Sequence, residues 1–152
     1  RLVEPAATGP GGRHTAWAMS QENVERVRRS LDGWNRGDLD AWMESAHPEV
    51  EWSSEIARRV GGSETVYRGK AGLRRFWDEF HSVWDLKVDI SDTRDLGDTV
   101  VALGKVRTRG AASGIDLEQP IAYVFEFDGG LARRVRGYFD SEQALEAAGL
   151  QK

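Results

Sequence analysis

The sequence predicts an α+β fold, with helices in the first half and an antiparallel meander in the second. Three observations carry this. Between residues 20 and 80, apolar side chains fall at helical spacing in three separate runs. From Asp85 onward the period drops to two. The period-two segments are joined by Gly- and Asp-containing turns, the chemistry of hairpins. A length of 152 residues suits one domain, and a chain of that size buries about 68–70% of its unfolded surface.

Residues 1–18, RLVEPAATGPGGRHTAWA, are rich in Gly and Pro, show no periodicity and lack the apolar stretch of a signal peptide. They read as a disordered upstream extension of a single domain spanning 19–152. The alternative is an arm that docks on a partner through Leu2, Val3 and Trp17. The first helix is expected from Gln21 to Arg36, capped by Ser20, with Val24, Val27, Leu31 and Trp34 on one face. Gly37 ends it. Asp38 caps a second helix from Leu39 to Ser45, which presents Leu39, Trp42 and Met43 and stops at His47-Pro48.

EVEW (49–52) reads as a short strand. Residues 53–66 read as an irregular loop with a Gly61-Gly62 hinge, either a surface excursion or a mobile lid. A third helix starts near Lys70 and lines up Leu73, Phe76, Trp77 and Phe80. Four strands follow: LKVDIS (86–91), TVVALGKVRTR (99–109), DLEQPIAYVFEF (116–127) and LARRVRGYFD (131–140). Their turns are Asp95–Asp98, a looser Gly110–Gly114, and Asp128-Gly129-Gly130. Ser141 caps a last short helix, Glu142 to Ala148, closed by Gly149.

Composition excludes several classes. A net charge of −4, with no basic run interleaved with aromatics, argues against nucleic acid. No apolar run is long enough for a membrane-spanning helix. The chain has no cysteine, so it has no disulfide, thiolate zinc site or cysteine nucleophile. No H-x-x-x-H spacing or phosphate-cradling Gly loop occurs. We therefore expect no metal and no cofactor, and take the cytoplasm as the default location.

Candidate site residues each carry two readings. Trp34, Trp52 and Trp77 face inward by periodicity; they fill a core, line a pocket for a flat apolar ligand, or do both. Arg107 and Arg109 share one strand face. Outside, they are a solvated or dimer-interface pair; inside, they require an anion. Tyr123 is either a donor or weak acid in a cavity, or a core residue. His81 is a helix-end residue or a base at a pocket mouth. His47 reads as a turn residue.

Three segments, NRGDLDAWMESAHPEVEW (35–52), YRGKAGLRRFW (67–77) and PIAYVFEFDGGLARRVRGYFD (120–140), resemble the nuclear transport factor 2-like superfamily. Within it the chain is similar to the SnoaL-like, polyketide cyclase-like branch, over roughly residues 20–148. The resemblance implies a cone-shaped, strongly curved, mostly antiparallel sheet packed on three N-terminal helices, a cystatin-like roll. It also implies a pocket at the open end, a hydrophobic small-molecule partner, and a homodimer formed through the outer sheet face. It turns Val135, Gly137 and Phe139 toward the pocket, and Arg136 and Tyr138 outward.

The reactions of that superfamily do not carry over residue by residue. Isomerase-like members use an Asp base, an oxyanion-hole Tyr and a neutral carboxylic acid in an apolar site. The matching positions here are Trp52, Ser30 and Tyr123. Epoxide hydrolase-like members use two carboxylates around an arginine; here those positions hold Gly137 and Arg107-Thr108-Arg109. The missing side chain at Gly137 implies a locally wider pocket. The acid and His of cyclase-like members have no placed equivalent.

Two functions are consistent with these readings. One is a small-molecule-binding domain with an aromatic-lined hydrophobic pocket built from Trp34, Trp52, Trp77, Arg107, Arg109, Tyr123, Phe125, Gly137 and Phe139. The other is a cofactor-independent lyase, isomerase, cyclase or dehydratase-like enzyme acting on a hydrophobic or polyketide-like molecule through Tyr123, His81 and an arginine such as Arg107. A cone plugged by Trp52 and Trp34 would favour a third, a dimerisation or accessory module.

Overall fold

The computed structural model describes residues 13–109 and 116–149. The elements run α1 (Arg13–Arg36), α2 (Leu39–Met43), β1 (Ala46–Ser54), α3 (Glu55–Val60), β2 (Tyr67–Arg68), α4 (Gly69–Trp84), β3 (Lys87–Asp95), β4 (Thr99–Arg109), β5 (Asp116–Asp128), β6 (Leu131–Tyr138) and α5 (Ser141–Ala147). The result is α+β, with a curved six-stranded mixed sheet in the order β2-β1-β6-β5-β4-β3. Among the described residues β1 and β6 run parallel, and the other neighbours are antiparallel.

The α1–α2 corner is set by local chemistry. Gly37 adopts φ +76, and the amides of Gly37 and Asp38 bond back to the carbonyls of Trp34 (3.2 Å) and Gly33 (2.8 Å). This closure satisfies the last carbonyls of α1 with a left-handed residue that glycine adopts without strain. Asp38 then accepts from Ala41 N at 3.0 Å and starts α2. The two helices touch at Gly33, where a Cβ would lie 2.7 Å from the Trp42 amide nitrogen.

Register shifts at Ile90/Asp92 and at Glu126/Phe127 bend the long strands, as bulges do. The concave face carries Val100, Ala102 and Val106 from β4, Ile121, Tyr123, Phe125 and Phe127 from β5, and Ala132 and Val135 from β6. They pack on Val27, Leu31 and Trp34 of α1 and on Leu73, Phe76 and Phe80 of α4. On the convex face Val101, Ala122 and Val124 are covered by Ala144 and Leu145 of α5.

Several local expectations change. The first helix runs back to Arg13, so Ser20 lies inside it rather than capping it. Strand β1 begins at Ala46, so His47 and Pro48 sit within it, and α2 is shorter than expected. The cap of α5 is Asp140, which accepts from Glu142 N at 2.8 Å, not Ser141. The expected loop or lid over 53–66 contains α3, capped by Ser54 and buried through Ile56 and Ala57. After α3 the chain is tied down by Glu79 of α4. That carboxylate accepts from Ser63 N (3.0 Å), from the Tyr67 hydroxyl (2.7 Å) and from the Ser63 hydroxyl. The polar roles of Ser54 and Glu79 have no signature in hydrophobic periodicity. Residues 1–12 of the expected extension and the Gly110–Gly114 turn lie outside the described residues, as do the side chains of His14, Trp17 and Trp84.

Candidate functional site

The concave face, α1, α2 and α4 enclose a continuous stack of rings. Trp34 meets Trp42 at 5.1 Å between ring centroids, and Trp42 meets Trp52 at 5.2 Å. Trp52 in turn contacts Tyr123 at 5.9 Å and Phe125 at 6.4 Å. Phe76 sits among them, 5.6 Å from Trp34 and 5.5 Å from Trp52. Such pairs add about 0.5–1.5 kcal/mol each beyond the apolar area they bury.

The polar atoms of this stack separate its members. The Trp34 indole N–H donates to the Leu86 carbonyl at 2.8 Å, fixing α1 to the start of β3. The indole N–H of Trp52 is buried without an acceptor among the described residues, on a side chain that is 5% exposed. An unmatched buried donor costs on the order of 1–3 kcal/mol.

Trp52 lines a recess between α1, α2, β1, β5 and β6, together with Arg26, Ser30, Trp42, Ser45, Phe125 and Phe127. The recess holds about 20 Å³, room for about one water molecule. Ser30 donates to the Trp42 carbonyl at 3.0 Å. No carboxylate lines the recess; its polar side chains are a guanidinium and an indole, which donate, and the hydroxyls of Ser30 and Ser45, which donate and accept. Proton abstraction requires a base within reach, and the lining supplies none. A larger cleft of about 330 Å³ opens between α1 and β3. Its floor is Val27, Leu31, Val88 and Ile90, with Asp32, Asn35, Asp89 and Asp92 around it.

Of the expected binding residues, Trp52 and Phe125 line the recess. Trp34, Trp77 and Phe139 belong to the packed core, where Arg59 of α3 lies 4.9 Å over the Phe139 ring. Arg107 and Arg109 are exposed and alternate with the inward Val106, so they occupy the convex face, away from the rings. Strand alternation fixes that outcome, because Val101 and Leu103, on the same face as the arginines, pack in the convex cluster.

Tyr123 is 4% exposed and has no hydrogen bond among the described residues; burial pushes its phenol well above the usual value of 10. That direction opposes proton transfer near neutral pH. His81 donates Nε2–H to the Trp34 carbonyl at 2.8 Å, and its ring stacks on Trp77 at 3.9 Å. It therefore closes the C-terminal end of α1 instead of standing at a pocket mouth. His47, within β1, accepts from Glu49 N at 2.9 Å. Gly137 faces inward, but the expected local widening is absent. A Cβ there would lie 2.9 Å from the Tyr123 ring and 3.2 Å from Ser54 Oγ. Tyr123, Arg107 and His81 are thus not brought together.

The positions matching the isomerase-like constellation do converge. Ser30 and Trp52 share the recess, and Tyr123 touches the Trp52 ring. The convergence carries an alcohol, an indole and a phenol with a raised pKa where the resemblance implies a tyrosine and two carboxyl groups. Sequence reasoning missed Arg26 and did not count Trp42 among the binding residues. The signal for Arg26 was its i−4 spacing from Ser30 on one helix face.

The model of the SnoaL-like domain matches residues 27–135. Among curated proteins, no sequence matches the chain. Solved structures share the fold. A nuclear transport factor 2-like protein of unknown function from Burkholderia pseudomallei K96243 is 20% identical, with a TM-score of 0.71 over 82% of this chain and 95% of that one. TerC, co-crystallised with polyporic acid, is 23% identical, with a TM-score of 0.70 over 82% and 96%. A Mycobacterium tuberculosis protein in complex with estradiol-17beta-hemisuccinate is 17% identical, with a TM-score of 0.66 over 78% and 94%.

Proposed function

The chain belongs to the SnoaL-like domain family, and from that premise we propose that it binds a small hydrophobic molecule within its aromatic interior. The observation that carries this reading is Trp52, which lines the inner recess and whose buried indole N–H has no acceptor among the described residues. A donor buried in an apolar site specifies where a ligand's acceptor sits, which is how such pockets orient their occupants. The co-crystallised aromatic and steroid ligands of TerC and of the mycobacterial protein support an apolar ligand class for this fold.

The recess at rest is smaller than a ring. Entry therefore displaces side chains, and movement of the Trp52 ring breaks no side-chain hydrogen bond among the described residues. Trp34, by contrast, is held to Leu86. Catalysis by general acid–base chemistry is disfavoured, because the recess lacks a base and Tyr123 stays protonated. The experiment is a titration of the ¹⁵N-labelled protein with benzamide and benzoate, following the tryptophan indole N–H resonances. Saturable movement of the Trp52 resonance, identified by its loss in Trp52→Phe, supports binding; no movement with either probe refutes it.

The small recess volume favours a second reading, a closed dimerisation or accessory module, and ligand binding excludes it. The proposal extends to a homodimer through the convex face beyond α5. There the exposed Arg107 is registered against Glu118, and Lys105 pairs with Glu118 at 3.6 Å. Light scattering across a dilution series reads that assembly.

A further inference from the structure

We infer that the recess selects an anionic ligand, a small aromatic carboxylate or phenolate whose charge sits at Arg26 and whose ring extends toward Trp52. The inference rests on the binding reading above and adds the ligand's charge. Arg26 lies on α1, half-buried, and is one of the residues that line the recess. Its hydrogen-bond partner is the neutral side chain of Asn23, at 2.9 Å. Asn23 is itself buried and donates to the Gly97 carbonyl at 3.2 Å, so the guanidinium is held from behind by a fixed amide.

None of the ion pairs among the described residues includes Arg26, and no carboxylate lines the recess. The contrast with the convex face is direct. There Arg134 and Arg136 converge on Glu126 at 3.0 and 2.6 Å. A half-buried guanidinium offers five N–H donors in a planar fork suited to a carboxylate. Removing such a cation from water is favourable only when a counter-charge or acceptors replace the lost hydration.

The chain leaves room for the fork. Gly130, in the β5–β6 turn at φ +82, is where a Cβ would come within 3.2 Å of the guanidinium. Trp52, another residue of the recess, has a buried indole N–H without an acceptor among the described residues, an independent pointer to the same chemistry. Both wall groups donate, so the ligand supplies acceptors. The rings of Trp52, Phe125 and Phe127 give it an apolar body.

The test compares benzoate with benzamide, which differ in charge but little in shape, by the indole resonance of Trp52. Expected is benzoate binding tighter by on the order of tenfold, the scale of a charge-assisted hydrogen bond. In Arg26→Gln, with amide dispersion unchanged, the preference falls to about twofold or less. Equal affinity of the two probes in the unaltered protein overturns the anion inference and leaves the binding reading standing. Retained preference in Arg26→Gln does the same. Failure of both probes to move Trp52 overturns both. If Arg26→Gln does not fold, salt replaces it. The benzoate preference should shrink between about 50 and about 500 mM salt, with benzamide binding constant; a salt-independent preference overturns the inference.

Discussion

Tyr123 occupies the space that Gly137 leaves. The two are cross-strand partners in β5 and β6, and a Cβ on Gly137 would fall 2.9 Å from Tyr123 Cε1. The inward space at Gly137 is thereby closed by a ring. Gly137 does not have a positive φ, so a side chain there meets a steric obstacle and no backbone strain. Gly137→Ala should lose about 1–3 kcal/mol by overpacking. Gly137→Asp should lose more, because it also buries an unpaired carboxylate. Urea denaturation of both variants reads this. A stability equal to that of the parent in Gly137→Ala would show that Tyr123 yields freely.

Trp34 and Trp52 should respond differently to the same substitution. Trp34→Phe leaves the Leu86 carbonyl without its donor, a penalty of about 1–3 kcal/mol on top of lost packing. Trp52→Phe removes a donor that has no acceptor, so relief of that penalty offsets part of the packing loss. Chemical denaturation should rank Trp34→Phe as the more destabilised. The reverse order would mean that the Trp52 N–H is satisfied in solution.

Alkaline stability follows from Tyr123. Burial raises its phenol above the ordinary value of 10 in the folded protein. The neutral form is thus favoured by folding, and the contribution is complete below pH 10, the unfolded value. It is lost progressively as pH rises from there toward the folded value, because the unfolded chain releases the proton first. Tyr67 shifts in the same direction, by burial and by its bond to Glu79. Tyr123→Phe should flatten the loss of stability above about pH 10 without changing the phenolate absorbance that develops in the folded protein below about pH 11.

Glu79 gives the acid side. Burial would raise its carboxyl, but the hydrogen bonds from Ser63 and Tyr67 outweigh burial and hold it below the ordinary 4.5. Its stabilisation is present above the unfolded value and lost as pH falls through the folded one. Glu79→Gln should flatten the acid limb below about pH 4.5 and raise proteolytic cleavage near Ser63, since it loosens the loop after α3. An unchanged acid limb would mean that the triad of Ser63, Tyr67 and Glu79 does not persist in solution.

The fold was legible because its information is periodic. Stripes such as Val27, Leu31 and Trp34, and the alternation of β4, specify faces without knowledge of partners. The same alternation contained the placement of Arg107 and Arg109, since Val100, Ala102 and Val106 claim the other face. What periodicity does not encode is which inward residue fills space and which borders it. Gly137 read as a gap because the rotamer of Tyr123 is a packing outcome. His81 kept two readings, helix end or base, because its bond to the Trp34 carbonyl depends on where α1 ends. Arg26 escaped notice because a charge on an amphipathic helix resembles the solvated face until the opposite wall is known.

The most direct measurement is the nuclear Overhauser contact between the ring protons of bound benzoate and the protein. Contacts to the Trp52 indole N–H and the Phe125 ring are predicted, with Val88 and Ile90 silent. Contacts confined to Val88 and Ile90 would put the ligand in the cleft between α1 and β3 and contradict an aromatic interior that opens at Trp52.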